Sequence, residues 1–181
     1  MKLIILDRDG VINHDSDDYI KSEEEWTPIA GSLEAIARLT HEGYHIVVIS
    51  NQSGLARGKI TLENLNRIHR KMHALVSQYG GKIEAVFFCP HAPDEQCECR
   101  KPKPGLLKDI AGRLHTPLDG VIMIGDKLSD VEAARAAGAR PVLVRTGYGQ
   151  QAVDAGEIPA TVPVFDDLAA AVDALIRNPP A

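Results

Sequence analysis

The sequence predicts an α/β fold, a parallel sheet covered by helices on both faces. Two observations carry that expectation. Apolar runs of strand length recur along the 181 residues with helix-period patterns between them, the alternation that builds parallel sheets. Several of those runs, among them LIIL, HIVVIS and VIMIG, are apolar almost throughout, as strands buried on both faces need to be.

Taken in order, Leu3–Leu6 is the first strand, and GSLEAIARLTHE from Gly31 to Glu42 reads as a helix closed by Gly43. His45–Ser50 is the second strand. Thr61 can cap a helix that runs to about Tyr79, with Gly80-Gly81 as its stop. Ala85–Cys89 is a third strand and Gly105–Leu114 a helix; Val121–Gly125 is a fourth strand, followed by a helix that opens near Ser129 and ends at Gly138. Pro141–Val144 is a fifth strand, Val162–Phe165 a sixth, and Asp166–Arg177 a terminal helix, with Asn178–Ala181 expected to fray. The arrangement is Rossmann-like. With no repeat or linker, residues 1–181 read as a single domain. Asn13–Pro28 and Pro90–Pro104 lack periodicity and each follows a strand, which places both at the functional edge of the sheet. The segment between Gly10 and Gly31 is too short for a cap domain, so the site is expected to be open.

Hydrophobic residues make up 44% and charged residues 25%, ordinary values for a globular protein. A net charge of −5 and 4% aromatics disfavour nucleic-acid partners, including contact through Arg100, Lys101, Lys103 and Lys108, and disfavour anionic membrane. The LIIL run is too short for a signal-peptide core, and no stretch has transmembrane length. A cytoplasmic protein is expected, and with no large exposed apolar stripe, a monomer.

The chemistry sits at strand ends. Residues 3–10 read LIILDRDG, an apolar strand running directly into two carboxylates and a glycine. In an extended segment Asp7 and Asp9 share a face while Arg8 points elsewhere, so the two acids can address one hard cation, and one of them can serve as a nucleophile. An Asp-rich turn is the plain alternative. The second strand ends at SNQSG, where Ser50 and the following backbone N–H groups can bind a phosphate oxygen or simply form a polar turn. The fourth ends at GDKLSD: Asp126 can complete an oxygen set for Mg²⁺, and Asp130 either joins that set or complements the helix dipole. Between them lies RKPKPG, in which Pro102 and Pro104 restrict the backbone beside Arg100, Lys101 and Lys103; it reads as a phosphate site or a solvated basic loop.

All three cysteines fall within eleven residues, as Cys89-Pro90-His91 and Cys97-Glu98-Cys99. Three thiolates and one imidazole make a closed tetrahedral set of the kind that holds structural zinc; three reduced, buried cysteines beside an unrelated histidine are the alternative. The polar Pro93-Asp94-Glu95 between the pairs favours zinc, which would brace the loop carrying Arg100 and Lys101.

Acid pair, hydroxyl turn, lysine and further acid, each after a strand, resemble the haloacid-dehalogenase superfamily of phosphotransferases, over Leu3 to about Gly147. DRDG matches its first motif, Ser50 the hydroxyl motif, Lys101 the basic motif and GDKLSD the last acidic motif. The resemblance implies that Asp7 attacks phosphorus to form an aspartyl-phosphate. It implies that Asp9 exchanges protons with the leaving alkoxide and the water, and that Ser50 and Lys101 hold equatorial oxygens. Mg²⁺ would be held by Asp7, the Asp9 backbone carbonyl and Asp126. The loop CPHAPDEQCECRKPKPG is similar to the zinc loop of D-glycero-D-manno-heptose 1,7-bisphosphate 7-phosphatases and of histidinol-phosphate phosphatases. SNQSGLARGKIT, GDKLSD and LVRTGYG look like the heptose enzymes, whereas the five residues between His91 and Cys97 look like the histidinol enzymes. The resemblance therefore implies a phosphorylated small molecule, a heptose bisphosphate on the way to surface-polysaccharide precursors or histidinol phosphate. A non-catalytic zinc-stabilised binding module is the alternative of another class. Arg100 and Lys127 are candidates for a second phosphate, and Asp15, Asp17, Asp18, Asn51, Gln52 and Ser53 for substrate hydroxyls.

Overall fold

The computed structural model describes residues 1–178, so the expectation of a frayed tail falls, beyond Asn178, outside the described residues. Six strands form one parallel sheet: β1 (Lys2–Asp7), β2 (Tyr44–Asn51), β3 (Ala85–Cys89), β4 (Ile122–Gly125), β5 (Arg140–Val144) and β6 (Val164–Phe165). Their order is β3-β2-β1-β4-β5-β6. The chain winds outward from β1 to β3, then crosses to β4 and winds the other way. That reversal lies between β1 and β4, where doubly wound sheets open a crevice at the carboxyl ends of their strands. Leu6 pairs with Ile124 across it, and Asp7 with Ile49 on the other side.

Alternation along the strands divides the core. Ile4, Leu6, Ile46 and Val48 face a layer built from α1 (Ser32–His41), α3 (Leu62–Gln78) and α7 (Leu168–Arg177). Leu3, Ile5, Val47 and Ile49 face the opposite layer, from α4 (Gly105–Leu114) and α5 (Leu128–Ala136). Each fully buried Leu or Ile contributes roughly 1.5–3 kcal/mol, so both faces hold the sheet firmly. Thr61 caps α3 as expected, its hydroxyl accepting from Asn64 N at 3.1 Å.

Short elements depart from expectation. α2 (Ser53–Ala56), α6 (Gly149–Asp154) and a 3₁₀ turn at Pro93–Glu95 are too short to leave a periodic signal. β6 is two residues rather than four, pairing with β5 only at Leu143↔Val164 and Val144↔Phe165, as suits an edge strand beside Pro163.

Between Asp7 and Ser32 the described residues hold only isolated bridges, with no cap of regular elements. This strap is packed nonetheless. Trp26 is fully buried, and Lys71 of α3 donates to the carbonyls of Glu23 at 2.6 Å and Trp26 at 2.8 Å. Among the described residues no helix is long and apolar enough to cross a membrane.

Candidate active site

The β1–β4 crevice gathers three acids and one ammonium. Asp7 ends β1, Asp126 follows β4, and Asp130 lies in the first turn of α5; their carboxylate oxygens come within 4.8 Å of one another. Lys101 enters from the loop before α4 and donates to Asp7 Oδ1 at 2.8 Å and Asp130 Oδ1 at 2.6 Å. All four side chains are buried. Asp130 is fully engaged, its Oδ2 accepting from Asp126 N at 3.1 Å and Lys127 N at 3.0 Å. Asp130 thus sits at the helix start, where the dipole reading put it, and stands in the three-acid cluster with one oxygen taken by Lys101, a role the sequence reading did not give it.

Charge is out of balance here. Burial first, then Asp130, raises the Asp7 pKa to about 6 despite the ion pair with Lys101. Burial and Asp7 raise that of Asp126 to about 8. Burial opposes the Lys101 charge, but Asp130 and Asp7 outweigh it and lift its pKa above the ordinary lysine range. Asp126 accepts Tyr148 N on Oδ2 at 2.9 Å, while its buried Oδ1 has no partner. An orphaned carboxylate oxygen among crowded acids is the donor set of a hard divalent cation. Two glycines make room for it: a Cβ at Gly10 (φ +83°) or at Gly147 (φ +59°) would lie 2.2 Å from Asp126 Oδ2.

Asp9 departs from the alternation argument. β1 ends at Asp7, the chain bends at Arg8, and strand periodicity lapses there. Arg8 is buried and turns onto Asp9, its Nε 2.9 Å from Oδ1 and its Nη2 3.1 Å from Oδ2. Asn13 Nδ2 and Gln52 Nε2 donate to the same carboxylate at 2.9 and 3.1 Å. Burial works against the Asp9 charge, yet Arg8 and Asn13 outweigh it and hold its pKa below the ordinary range. Asp9 lines the main cavity without joining the three-acid cluster.

That cavity, about 720 Å³, opens over the crevice. Asp15, Asn51, Gln52, Ser53, Arg100, Lys101 and Lys127 line it. Ser50 lies deeper, its Oγ accepting Gln52 Nε2 at 2.7 Å. Asn51 spends both ends of its amide on Lys101, Oδ1 accepting the backbone N–H and Nδ2 donating to the carbonyl, each at 3.1 Å. It positions the lysine. Asp15 pairs with Lys127 at 3.0 Å, so it restrains a cation. Asp18 does not line the cavity; it pairs with Lys21 in solvent, because the strap turns that side chain outward. Asp17 takes its place, accepting the Tyr148 hydroxyl. Tyr148 also lies under Lys127, 4.7 Å from ring centre to Nζ. The sequence reading missed Tyr148, although LVRTGYG carried a signal, and Asn13.

The cysteine loop closes as its spacing implied. Cys99 Sγ lies 2.9 Å from Cys89 Sγ and 3.2 Å from His91 Nδ1; Cys89 lies 3.5 Å from Cys97 Sγ and from His91 Nδ1. A tetrahedron with metal–sulfur bonds of about 2.3 Å has edges of about 3.8 Å, longer than these contacts by less than about 1 Å, so the set fits zinc after small side-chain shifts. Arg100 and Lys101 follow it directly, and the Arg100 Nη1 is buried without a partner.

Residues 98–171 match the family model described as HAD-hydrolase-like. The chain is 53% identical over 176 residues to the D-glycero-beta-D-manno-heptose-1,7-bisphosphate 7-phosphatase of Pseudomonas putida, covering 97% of this chain and all of that one. It superposes with a TM-score of 0.95, at 51% identity, on a crystal structure of D,D-heptose 1.7-bisphosphate phosphatase from B. bronchiseptica complexed with magnesium and phosphate, covering 98% of this chain and 99% of the other. The corresponding enzyme from Burkholderia thailandensis superposes at 0.78 with 41% identity, covering 97% and 99%. On sequence and fold together, the chain belongs to the D-glycero-beta-D-manno-heptose-1,7-bisphosphate 7-phosphatase family.

Proposed function

We propose that this protein is a Mg²⁺-dependent phosphatase that removes the 7-phosphate of D-glycero-β-D-manno-heptose 1,7-bisphosphate in the cytoplasm, on the route to ADP-heptose for lipopolysaccharide core. It acts as one capless domain spanning residues 1–181 and as a monomer. The observation that carries this reading is the Asp7–Lys101–Asp130 chain of ion pairs beside Asp126, under a cavity that holds two further cations.

In this reading Asp7 attacks phosphorus in line and becomes an aspartyl-phosphate as the alkoxide of carbon 7 departs. Lys101, held from below by Asp130 and through its backbone by Asn51, neutralises an equatorial oxygen; Ser50 donates to another. Asp9 gives its proton to the alkoxide and later takes one from the hydrolytic water. A phosphate dianion docking beside Asp9 opposes its charge and raises its proton affinity from the low value set by Arg8. Mg²⁺, held by Asp7, Asp126 and the Asp9 carbonyl, would supply the remaining positive charge. Arg100 and Lys127 receive the phosphate at carbon 1. Their two cations, one buried in part and one restrained by Asp15 and Tyr148, suit a bisphosphate better than the single phosphate and ammonium of histidinol phosphate. Zinc on Cys89, His91, Cys97 and Cys99 keeps the Arg100–Lys101 turn in place.

Assay of the purified protein on both compounds with magnesium tests the substrate. The heptose bisphosphate is expected to have the higher kcat/KM, and Arg100→Ala should lose more on it than on a monophosphate. Preference for histidinol phosphate would reverse the assignment.

A further inference from the structure

Arg8 holds the charge of Asp9, but its contact with His69 has no part in the site. Arg8 occupies the middle of DRDG with no exposed surface, and its guanidinium is shared between two partners. One edge forks onto Asp9, as described. The remaining nitrogen, Nη1, lies 3.2 Å from Nε2 of His69. His69 comes from the middle of α3, which lends no side chain to the crevice. Its ring rests against Phe88 of β3, centroids 6.2 Å apart at 54°.

The direction of the hydrogen bond follows from chemistry. A guanidinium has only donors, so His69 Nε2 must accept, and the ring must be neutral with its proton on Nδ1. Burial, then the Arg8 charge, push the His69 pKa down to about 4, which keeps the acceptor available across the neutral range. Without that acceptor Arg8 Nη1 would be a buried donor with no partner, and the guanidinium would be free to rotate towards another. Rotation by one donor breaks the fork, because both contacts to Asp9 depend on the same planar edge.

We propose that His69 is a positioning residue, which fixes the plane of the Arg8 guanidinium and through it the orientation of the Asp9 carboxyl towards the leaving oxygen. This rests on the reading of Asp9 as the proton donor. Helix α3 thereby reaches the reaction through one imidazole and one guanidinium. The interaction matters when the leaving group needs a proton. It matters little for a phenolate, which departs without one.

Leaving-group dependence of the first turnover is therefore the readout, because the later hydrolysis, which also uses Asp9, is common to all substrates. His69→Leu should slow first-turnover release of the heptose at least tenfold with KM within twofold of the parent, and slow first-turnover release of p-nitrophenolate less than threefold. His69→Gln keeps an acceptor and should recover most of the loss. Arg8→Lys keeps the charge without the fork and should show the same selective loss, which serves if His69→Leu does not fold. Asp9→Asn is the reference. If it shows the selective loss and the His69 and Arg8 variants do not, the positioning role is overturned. If Asp9→Asn slows the first release equally for both substrates, the acid assignment itself falls. Equal loss on both substrates in His69→Leu would mark the residue as structural only.

Discussion

The acid crevice and the cysteine loop are both candidate metal sites, and they are built in opposite ways. The loop brings four ligands together within eleven residues, so a short piece of chain contains the whole set. The crevice draws on positions 7, 101, 126 and 130, and its Lys101–Asp7 bond joins residues 94 apart. A local set can be stiff without the rest of the protein and suits bracing. A distributed set exists only when the sheet is folded, and it can present unbalanced charge to a ligand because the core holds the acids in place. Three buried acids with one orphaned oxygen would not survive in a free loop; they would turn to water. Brace and reaction centre meet at Arg100 and Lys101.

The sharpest test of this contrast removes the nucleophile. Asp7→Asn should lower kcat on the order of 10⁴-fold or more while zinc content and fold are retained. Steady-state turnover with elemental analysis checks it; residual turnover within tenfold of the parent would remove Asp7 from the role. Next comes the loop. Cys89→Ser should release the zinc and destabilise the protein by about 4 kcal/mol or more, and turnover should fall through misplacement of Lys101. Denaturant unfolding measures this, and a zinc-free parent of equal stability would show that the loop needs no metal.

A smaller effect is expected where the crevice is shaped by space alone. Gly147→Ala sets a methyl 2.2 Å from Asp126 Oδ2 at a φ of +59°, so the carboxylate must move. Magnesium affinity should drop roughly 10–100-fold with zinc unchanged. Calorimetric titration of both metals decides it, and unaltered magnesium binding would mean that Asp126 is not a ligand.

The smallest effect is a pH dependence. Asp7 and Asp126 hold protons up to about pH 6 and 8 without metal, well above an unfolded carboxyl. The folded protein then binds more protons than the unfolded chain, so metal-free stability should fall as pH rises towards 8. Magnesium must displace those protons, so its affinity should rise over the same window. Thermal unfolding at pH 6 and pH 8 should show the larger magnesium-induced stabilisation at pH 8. A shift independent of pH would break the charge argument.

Much of the crevice was readable in advance, for identifiable reasons. Asp7 and Asp126 stand where an apolar run stops, and an acid directly after a buried strand has few places to point; Lys101 was readable from the proline-restricted RKPKPG turn instead. The cysteine set was readable because spacing alone limits it. Asp18 was not: on an irregular strap no period tells which side chain turns inward, and it pairs with Lys21 in solvent while Asp15 and Asp17 face the cavity. Arg8 was assigned away from the acids because strand alternation was carried one residue too far.

The order of strands and helices, the two-faced burial of the sheet and the ligand types at each strand end were thus set by local pattern, because hydrophobic period and residue chemistry act over a few positions. Which oxygen faces which cation was decided only on folding. Lys127 finds Asp15 across 112 residues, and Arg8 finds His69 across 61. Partners that far apart are selected by the packing of whole elements, and burial makes each pairing strong enough to set the charge of the site.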